Sequence, residues 1–99
     1  MGMRIIAKRT LRAFWERHAD AEQPLKAWHQ QVKGADWATP ADVRAVYRSA
    51  DFLEGNRVCF NIGGNKYRLI VQINYPKRVV FIRFIGTHAD YDRIDANSV

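Results

Sequence analysis

Four side chains in the second half of the sequence belong to the types that handle phosphate esters. Lys66, Arg68 and Arg83 are cations, and His88 carries an imidazole, a side chain that commonly transfers protons in enzymes. Arginine presents a planar fork that matches phosphate oxygens, whereas lysine supplies a mobile point charge. A group of this kind can bind a phosphodiester, offset negative charge in a transition state and transfer a proton.

The positive charge of the chain is concentrated around these residues. The 99 residues carry a net charge of +6, and no Asp or Glu occurs between Gly55 and Ala89. That stretch contains six cations, namely Arg57, Lys66, Arg68, Lys77, Arg78 and Arg83. Such an asymmetry predicts an anionic partner, of which nucleic acid is the commonest. The alternative interpretation is that Lys and Arg keep the edges of a sheet soluble.

The residues around His88 predict a short helix. Thr87 and Asp90 have the spacing of a capping box, which places His88 in the first helical turn. The partial positive charge of a helix N-terminus favours a neutral imidazole and binds anions. His88 is therefore a candidate proton carrier, with structural packing as the alternative. Tyr91, which follows, can stack on a base or pack locally.

The first half of the sequence has the apolar periodicity of helices. A short run rich in Ile, from Met3 to Ala7, predicts a first strand. Helical spacing then predicts three helices, which begin near residue 10, span residues 22–32 and run from 39 to about 47. Trp15 and Trp28 lie on the apolar stripes of the first two helices, so we expect core positions for both.

After residue 51 the period changes to two, which predicts strands at 57–62, 66–74 and 78–85. The Gly63-Gly64-Asn65 segment is typical of a tight hairpin turn, and Pro76 indicates a second turn. Three consecutive strands with short connections form an antiparallel meander. Strict alternation along the last strand places Phe84 on one face and Arg83 with Ile85 on the other.

These elements predict one α+β domain over residues 1–99, with an N-terminal strand and helices packed on one face of the meander and a short C-terminal helix. The other sheet face then stays partly open and carries the basic side chains. No apolar stretch is long enough to span a membrane, and the single Cys59 agrees with a reducing compartment, so we expect a cytoplasmic protein. No pair of histidines has the spacing of a metal site, so no metal or other cofactor is expected.

The chain resembles the HigB toxins of bacterial type II toxin–antitoxin systems, a branch of the RelE-like ribonucleases. The residues that carry this resemblance lie along nearly the whole sequence. They are 4–6, 11–15, 26–28, 35–37, 57–62, 64–69 and 82–92. Together these segments are specific to the family, although each short segment alone would be weak evidence for it.

The resemblance implies a metal-independent endoribonuclease that cleaves messenger RNA, usually on the translating ribosome, by attack of the ribose 2'-hydroxyl on the adjacent phosphate. It also implies a cognate HigA-type helix-turn-helix antitoxin, through which alone the complex contacts DNA. On this basis Arg68 and Arg83 bind the phosphate, and Lys66 stabilises charge or transfers a proton. His88 is then the general acid or base, while Arg57 and Tyr91 contact RNA.

The general base stays open at this point. Some RelE-like toxins use a glutamate, but the basic strands here contain no carboxylate, and Asp90 is expected to cap a helix. His88 and Lys66 both remain candidates. The main alternative function is a non-catalytic basic module that binds RNA or the ribosome and inhibits translation. A relative that acts on gyrase is a third possibility.

Overall fold

A five-stranded sheet with helices on one face makes up the fold. The computed structural model describes residues 2–99 of the chain. In chain order the elements are β1 (Arg4–Ile6), α1 (Lys8–Arg17), a 3-10 turn (Ala19–Ala21), α2 (Glu22–Lys33), α3 (Pro40–Val46), β2 (Asp51–Phe52), β3 (Arg57–Ile62), β4 (Tyr67–Asn74), β5 (Val79–Thr87) and α4 (His88–Tyr91). The strands lie in the order β1-β5-β4-β3-β2. None of the helices in this range is long and apolar enough to cross a membrane.

The predicted α+β architecture is confirmed, and the meander of β3, β4 and β5 is antiparallel as expected. Two features differ from the prediction. First, β1 pairs with β5 in parallel, so the sheet is mixed. Second, β2 joins the other edge beside β3, although a strand of two residues is too short to leave a periodic signal in the sequence.

Aromatic rings fill the space between the helices and the sheet. Phe60 of β3 is 1% exposed, and its ring lies 5.5 Å from that of Trp28 in α2 and 4.9 Å from that of Tyr47. Trp15 and Trp28 are buried, which confirms their expected place in the core. These contacts fix one face of the sheet against the helices, and we call it the core face. The opposite face, named the open face, carries the candidate site.

A β-bulge in β5 changes which residues reach each face. The register shifts between Ile70 and the next residue of β4, so that Ile70 lies opposite Phe84 and Leu69 lies opposite Ile85. Since directly opposed residues share a face, Phe84 is on the open face and Ile85 on the core face. The alternation predicted from the sequence is therefore wrong beyond Arg83. This residue is the extra one in the bulge, and it points into solvent.

Candidate active site

Three strands bring polar and small residues together at one end of the open face. Arg68 near the start of β4 lies directly opposite Asn61 of β3 and directly opposite Gly86 of β5. Opposed residues in neighbouring strands are within side-chain contact distance, so Asn61 and Arg68 leave the sheet side by side. Helix α4 begins two residues after Gly86. It therefore starts at this same end of the sheet.

The Arg68 side chain is held from several sides. Its Nη1 lies 3.3 Å from Oδ2 of Asp51 and 3.8 Å from Sγ of Cys59. The guanidinium carbon is 4.8 Å from the centre of the Tyr91 ring, a cation–π distance. Only 19% of the Arg68 side chain is exposed. These contacts orient a planar cation that is largely withdrawn from solvent.

Buried polar atoms at this end of the sheet are left unsatisfied. Asn61 Oδ1, Arg68 Nε and His88 Nε2 are all buried, and each has no hydrogen-bond partner among residues 2–99. Buried polar groups in proteins are normally paired, so three such atoms at neighbouring positions call for an explanation. We call these three residues the polar cluster. An ordered water, or a polar ligand that displaces the groups covering these atoms, would satisfy them.

The capping box predicted around His88 is present. The Thr87 N–H donates to Oδ2 of Asp90, and the Asp90 N–H donates to Oγ1 of Thr87, both at 3.1 Å. These bonds also keep the pKa of the Asp90 carboxyl below its usual value. His88 and Tyr91 are three residues apart and so share one side of the helical turn. The Tyr91 ring lies against Arg68, so the helical turn that carries His88 is at this end of the open face.

A glycine allows α4 to approach the sheet. A Cβ atom placed on Gly86 would come within 2.7 Å of Cζ of Phe84 and 2.9 Å of Cβ of Asp90. Both separations are shorter than real Cβ contacts, so any side chain here would push α4 outward. Gly86 therefore keeps His88 and Tyr91 close to Arg68.

Lys66 lies apart from the polar cluster. Its Nζ is 2.8 Å from Oδ2 of Asp20, a residue of the 3-10 turn in the helical layer, and the Tyr67 hydroxyl donates to the same carboxylate. The ion pair with Asp20 raises the pKa of the Lys66 ammonium. The sequence placed Lys66 beside Arg68. In the structure its ammonium is instead bound to the helical side of the molecule.

Arg57 and Arg83 converge on a second point of the open face. Their Nε atoms lie 2.8 Å and 3.4 Å from the main-chain oxygen of Val99. Arg57 is opposite Gln72, which is four positions along β4 from Arg68. This separation corresponds to about 13 Å at the rise of a β-strand. Of the six residues predicted for the site, Arg68 and Tyr91 are in contact and His88 belongs to the same short helix as Tyr91. Arg57 and Arg83 form a second group, and Lys66 lies by itself.

Two further residues of the site, Asn61 and Asp51, are not among those predicted from the sequence. Asn61 could have been found from the hairpin turn, because the pairing of Ile62 with Tyr67 next to the turn also sets Asn61 opposite Arg68. Asp51 left no signal, since it belongs to the two-residue strand β2. It is nonetheless the carboxylate that touches Arg68, whereas Asp90 caps α4.

Thiol chemistry at Cys59 and metal binding are the other kinds of chemistry to consider for this site. Cys59 is fully buried beneath Arg68, and burial raises the pKa of its thiol, which disfavours the nucleophilic thiolate. Within residues 2–99 no group of three or more His, Cys, Asp or Glu side chains is arranged to hold a metal ion. The chemistry available at the site is therefore that of cations, an imidazole and an amide.

Comparison with known proteins gives consistent matches. A model of the HigB toxin family, described as the RelE-like toxic component of a toxin–antitoxin system, matches residues 21–94. The mRNA interferase HigB of Escherichia coli O6:H1 is 28% identical over 94 residues, which cover 93% of this chain and 91% of the relative. The mRNA interferase toxin HigB of Escherichia coli K12 is 27% identical over 91% of this chain and 88% of its own length. The mRNA interferase HigB of Shigella flexneri matches to the same extent.

Proposed function

The chain belongs to the HigB family of RelE-like toxins, and on that premise we propose that it is an endoribonuclease that cleaves messenger RNA without a metal ion. The observation that supports this most directly is the polar cluster. The Arg68 guanidinium and the Asn61 amide lie side by side at the end of a basic sheet face, where the helix that carries His88 begins, and each of the three side chains has an unpaired polar atom. An RNA phosphate with its ribose would satisfy these atoms.

The proposed reaction is an internal transesterification. The 2'-oxygen forms a bond to the adjacent phosphorus and the bond from phosphorus to the 5'-oxygen of the next nucleotide breaks, which yields a cyclic phosphate and a free 5'-hydroxyl. Arg68 offsets the extra negative charge on the phosphoryl oxygens as it develops. Its stacking on Tyr91 and its contact with Asp51 hold the guanidinium in one orientation before the substrate arrives.

His88 is the proposed proton-transfer group. A neutral imidazole can accept the proton of the 2'-hydroxyl, and the resulting imidazolium can donate one to the leaving 5'-oxygen. Lys66 is the weaker candidate for the base, because its ion pair with Asp20 raises the pKa of the ammonium and keeps the amine protonated. We assign Lys66 to the electrostatic attraction of RNA instead, together with Arg57 and Arg83.

The partners follow from the same proposal. The enzyme acts on messenger RNA on the translating ribosome in the cytoplasm. A cognate HigA-type helix-turn-helix antitoxin neutralises it, and the complex contacts DNA only through that antitoxin. The ring of Trp28 in α2 is 2% exposed and lies in the core, so it is not available to an antitoxin. An antitoxin that covers the basic open face is therefore the simpler arrangement.

Induction in cells tests the proposed activity. The double variant Arg68→Ala with His88→Ala should relieve growth arrest and abolish new transcript 5' ends, which are mapped shortly after induction. Arg48→Ala is the matched control, because Arg48 is an exposed arginine of the loop between α3 and β2 and is not one of the residues proposed to bind RNA. If the double variant arrests translation as strongly as the wild type, and neither produces new 5' ends, the protein is a non-catalytic RNA-binding or ribosome-binding module.

A further inference from the structure

We propose that a cavity at the far end of the open face binds a base of the RNA, at a nucleotide outside the one that is cut. This inference rests on the proposed function and adds a substrate-binding site to it. The cavity has a volume of about 340 Å³, which lies within the range of small-molecule sites. Its lining includes Phe81, Gln72, Asn74 and Gly55.

Besides Asn56 and the buried Tyr75, the lining includes one aromatic ring and two amides that the sheet places on the open face. Gln72 lies directly opposite Phe81 across β4 and β5, and Asn74 is two positions beyond Gln72 on β4. All three side chains therefore leave the sheet on the open face. Phe81 is only partly buried, so part of its ring is accessible from the cavity. An accessible ring flanked by amides is the arrangement by which proteins stack and hydrogen-bond an unpaired base.

The Gln72 and Asn74 side chains offer one hydrogen-bond acceptor and one donor to a ligand in the cavity. Gln72 Nε2 donates to the Gly55 carbonyl at 2.8 Å, and Asn74 Oδ1 accepts from the Lys77 N–H at 3.1 Å. These bonds orient both side chains, and they leave Gln72 Oε1 and Asn74 Nδ2 without a partner in the part of the chain that the structure describes. An acceptor beside a donor matches the edge of a nucleobase, which also carries both.

A phosphate-binding group adjoins the cavity. Arg57 packs on Gly55, because a Cβ on that glycine would be only 2.4 Å from Nη1 of Arg57. Arg57 and Arg83 already donate to one oxygen, that of Val99, so two guanidinium groups converge at this point of the face and can bind an anion. A nucleotide with its base in the cavity would place its phosphate at the arginines. RNA would then replace the Val99 oxygen there.

The distance between the cavity and the polar cluster agrees with one RNA strand that contacts both. Gln72 is about 13 Å from Arg68 along β4 at the usual rise per residue. That distance is too large for a single nucleotide and requires the RNA to continue along the open face. The cavity therefore binds a neighbouring nucleotide and contributes to substrate affinity, while the polar cluster acts on the scissile phosphate.

Nuclear magnetic resonance tests the inference without any cleavage. The isotopically labelled protein is titrated with the 5'-monophosphates of adenosine, guanosine, cytidine and uridine, and separately with inorganic phosphate. We expect at least one nucleotide to shift the side-chain amide signals of Gln72 and Asn74 in a saturable way, while phosphate alone shifts signals around the arginines, at Arg68 and at Arg57 with Arg83, and leaves those two amides unchanged. If nucleotides and phosphate produce the same shifts, the cavity binds no base and the inference is wrong.

Two variants sharpen the test. Phe81→Leu keeps the apolar volume but removes the stacking surface, and we expect it to weaken nucleotide binding by about 5- to 100-fold. Gln72→Met should weaken binding by a smaller factor, and neither should alter the response to phosphate. Phe52→Leu is the matched control, because Phe52 is a partly buried aromatic residue outside the cavity. Unchanged nucleotide affinity in Phe81→Leu would overturn the inference.

The two proposals can fail separately. Nucleotide binding with the expected shifts, in a protein that produces no transcript ends, would refute the proposed cleavage and leave the base site standing. Cleavage with normal efficiency in both Phe81→Leu and Gln72→Met, together with absent nucleotide shifts in the wild type, would refute the base site and leave the ribonuclease standing.

Discussion

The two faces of the sheet differ in the burial and polarity of the side chains that successive strand residues place on them. On β4 the side chains of Leu69 and Val71 enter the core and are fully buried, whereas Arg68 between the turn and these residues faces the other way with polar neighbours. The core face is closed by helices and aromatic rings. The open face holds arginines and amides, together with the fully buried side chains of Cys59 and Ile70. The strand β4 therefore supplies core residues on one face and candidate site residues on the other, because successive side chains of a strand point to opposite faces.

The faces also differ in how well their polar atoms are satisfied. Among residues 2–99, four buried side-chain polar atoms lack a hydrogen-bond partner, and three of them belong to the polar cluster on the open face. The fourth is Nε1 of Trp28 in the core. An unpaired buried polar atom costs stability, so the open face is where the fold retains unfavourable groups. A substrate that pairs with them would recover this cost.

The largest effect is expected on the core face. Phe60→Ala removes a fully buried ring that Trp28 and Tyr47 contact, and it should lower the free energy of unfolding by about 3–5 kcal/mol. Phe84→Ala, on the open face, should cost less than half as much, since this ring is only partly buried. Urea unfolding followed by tryptophan fluorescence measures both. Equal losses would mean that the two faces contribute alike to stability.

The next effect concerns catalysis on the open face. Arg68→Lys retains the charge but loses the planar fork and its stacking on Tyr91. Removal of one oriented donor from a developing oxyanion typically costs about 100- to 1,000-fold in rate, and we expect a loss of this order in cleavage. Arg48→Lys serves as the control. A rate within threefold of the wild type would show that charge alone, without orientation, is sufficient.

A smaller effect is expected at Asn61, where substitution should change cleavage without lowering stability. Asn61→Ala removes the buried Oδ1 atom that has no partner among residues 2–99, so stability should stay constant or rise by up to about 1 kcal/mol. Cleavage should fall about tenfold, because the amide is proposed to contact the substrate. Thermal unfolding and a cleavage assay on the same preparation test this. A clear loss of stability with full activity would assign Asn61 to the fold alone.

The smallest effect concerns pH. Hydrogen bonds from Lys66 and Tyr67 lower the pKa of the exposed Asp20 carboxyl below its ordinary 3.8. A carboxyl whose folded pKa is depressed stabilises the fold above its unfolded pKa and loses that contribution as the pH falls through the folded value. Asp20→Asn should therefore lower Tm slightly at pH 6 and have no effect near pH 2. A constant difference at both values would contradict the ion pair as the cause.

The sequence predicted the local elements well because their causes are local. The capping box at Thr87, the hairpin at Gly63-Gly64 and the apolar stripes of α1 and α2 depend only on residues within a few positions of one another. The family resemblance, which the comparisons support, also depends on short segments. The positions of the charges, and the places where helices and strands begin, could therefore be predicted from the sequence alone.

Tertiary structure decided how these elements meet. The bulge at Arg83 reversed the faces of Phe84 and Ile85, because one extra residue in a strand is visible only through its pairing with the neighbour. The contact of Asp51 with Arg68 and the ion pair of Lys66 with Asp20 join residues 17 and 46 positions apart. The sequence by itself thus determined which side chains are available for chemistry. Only strand register and packing decided which of them share a site, since both depend on contacts between distant parts of the chain.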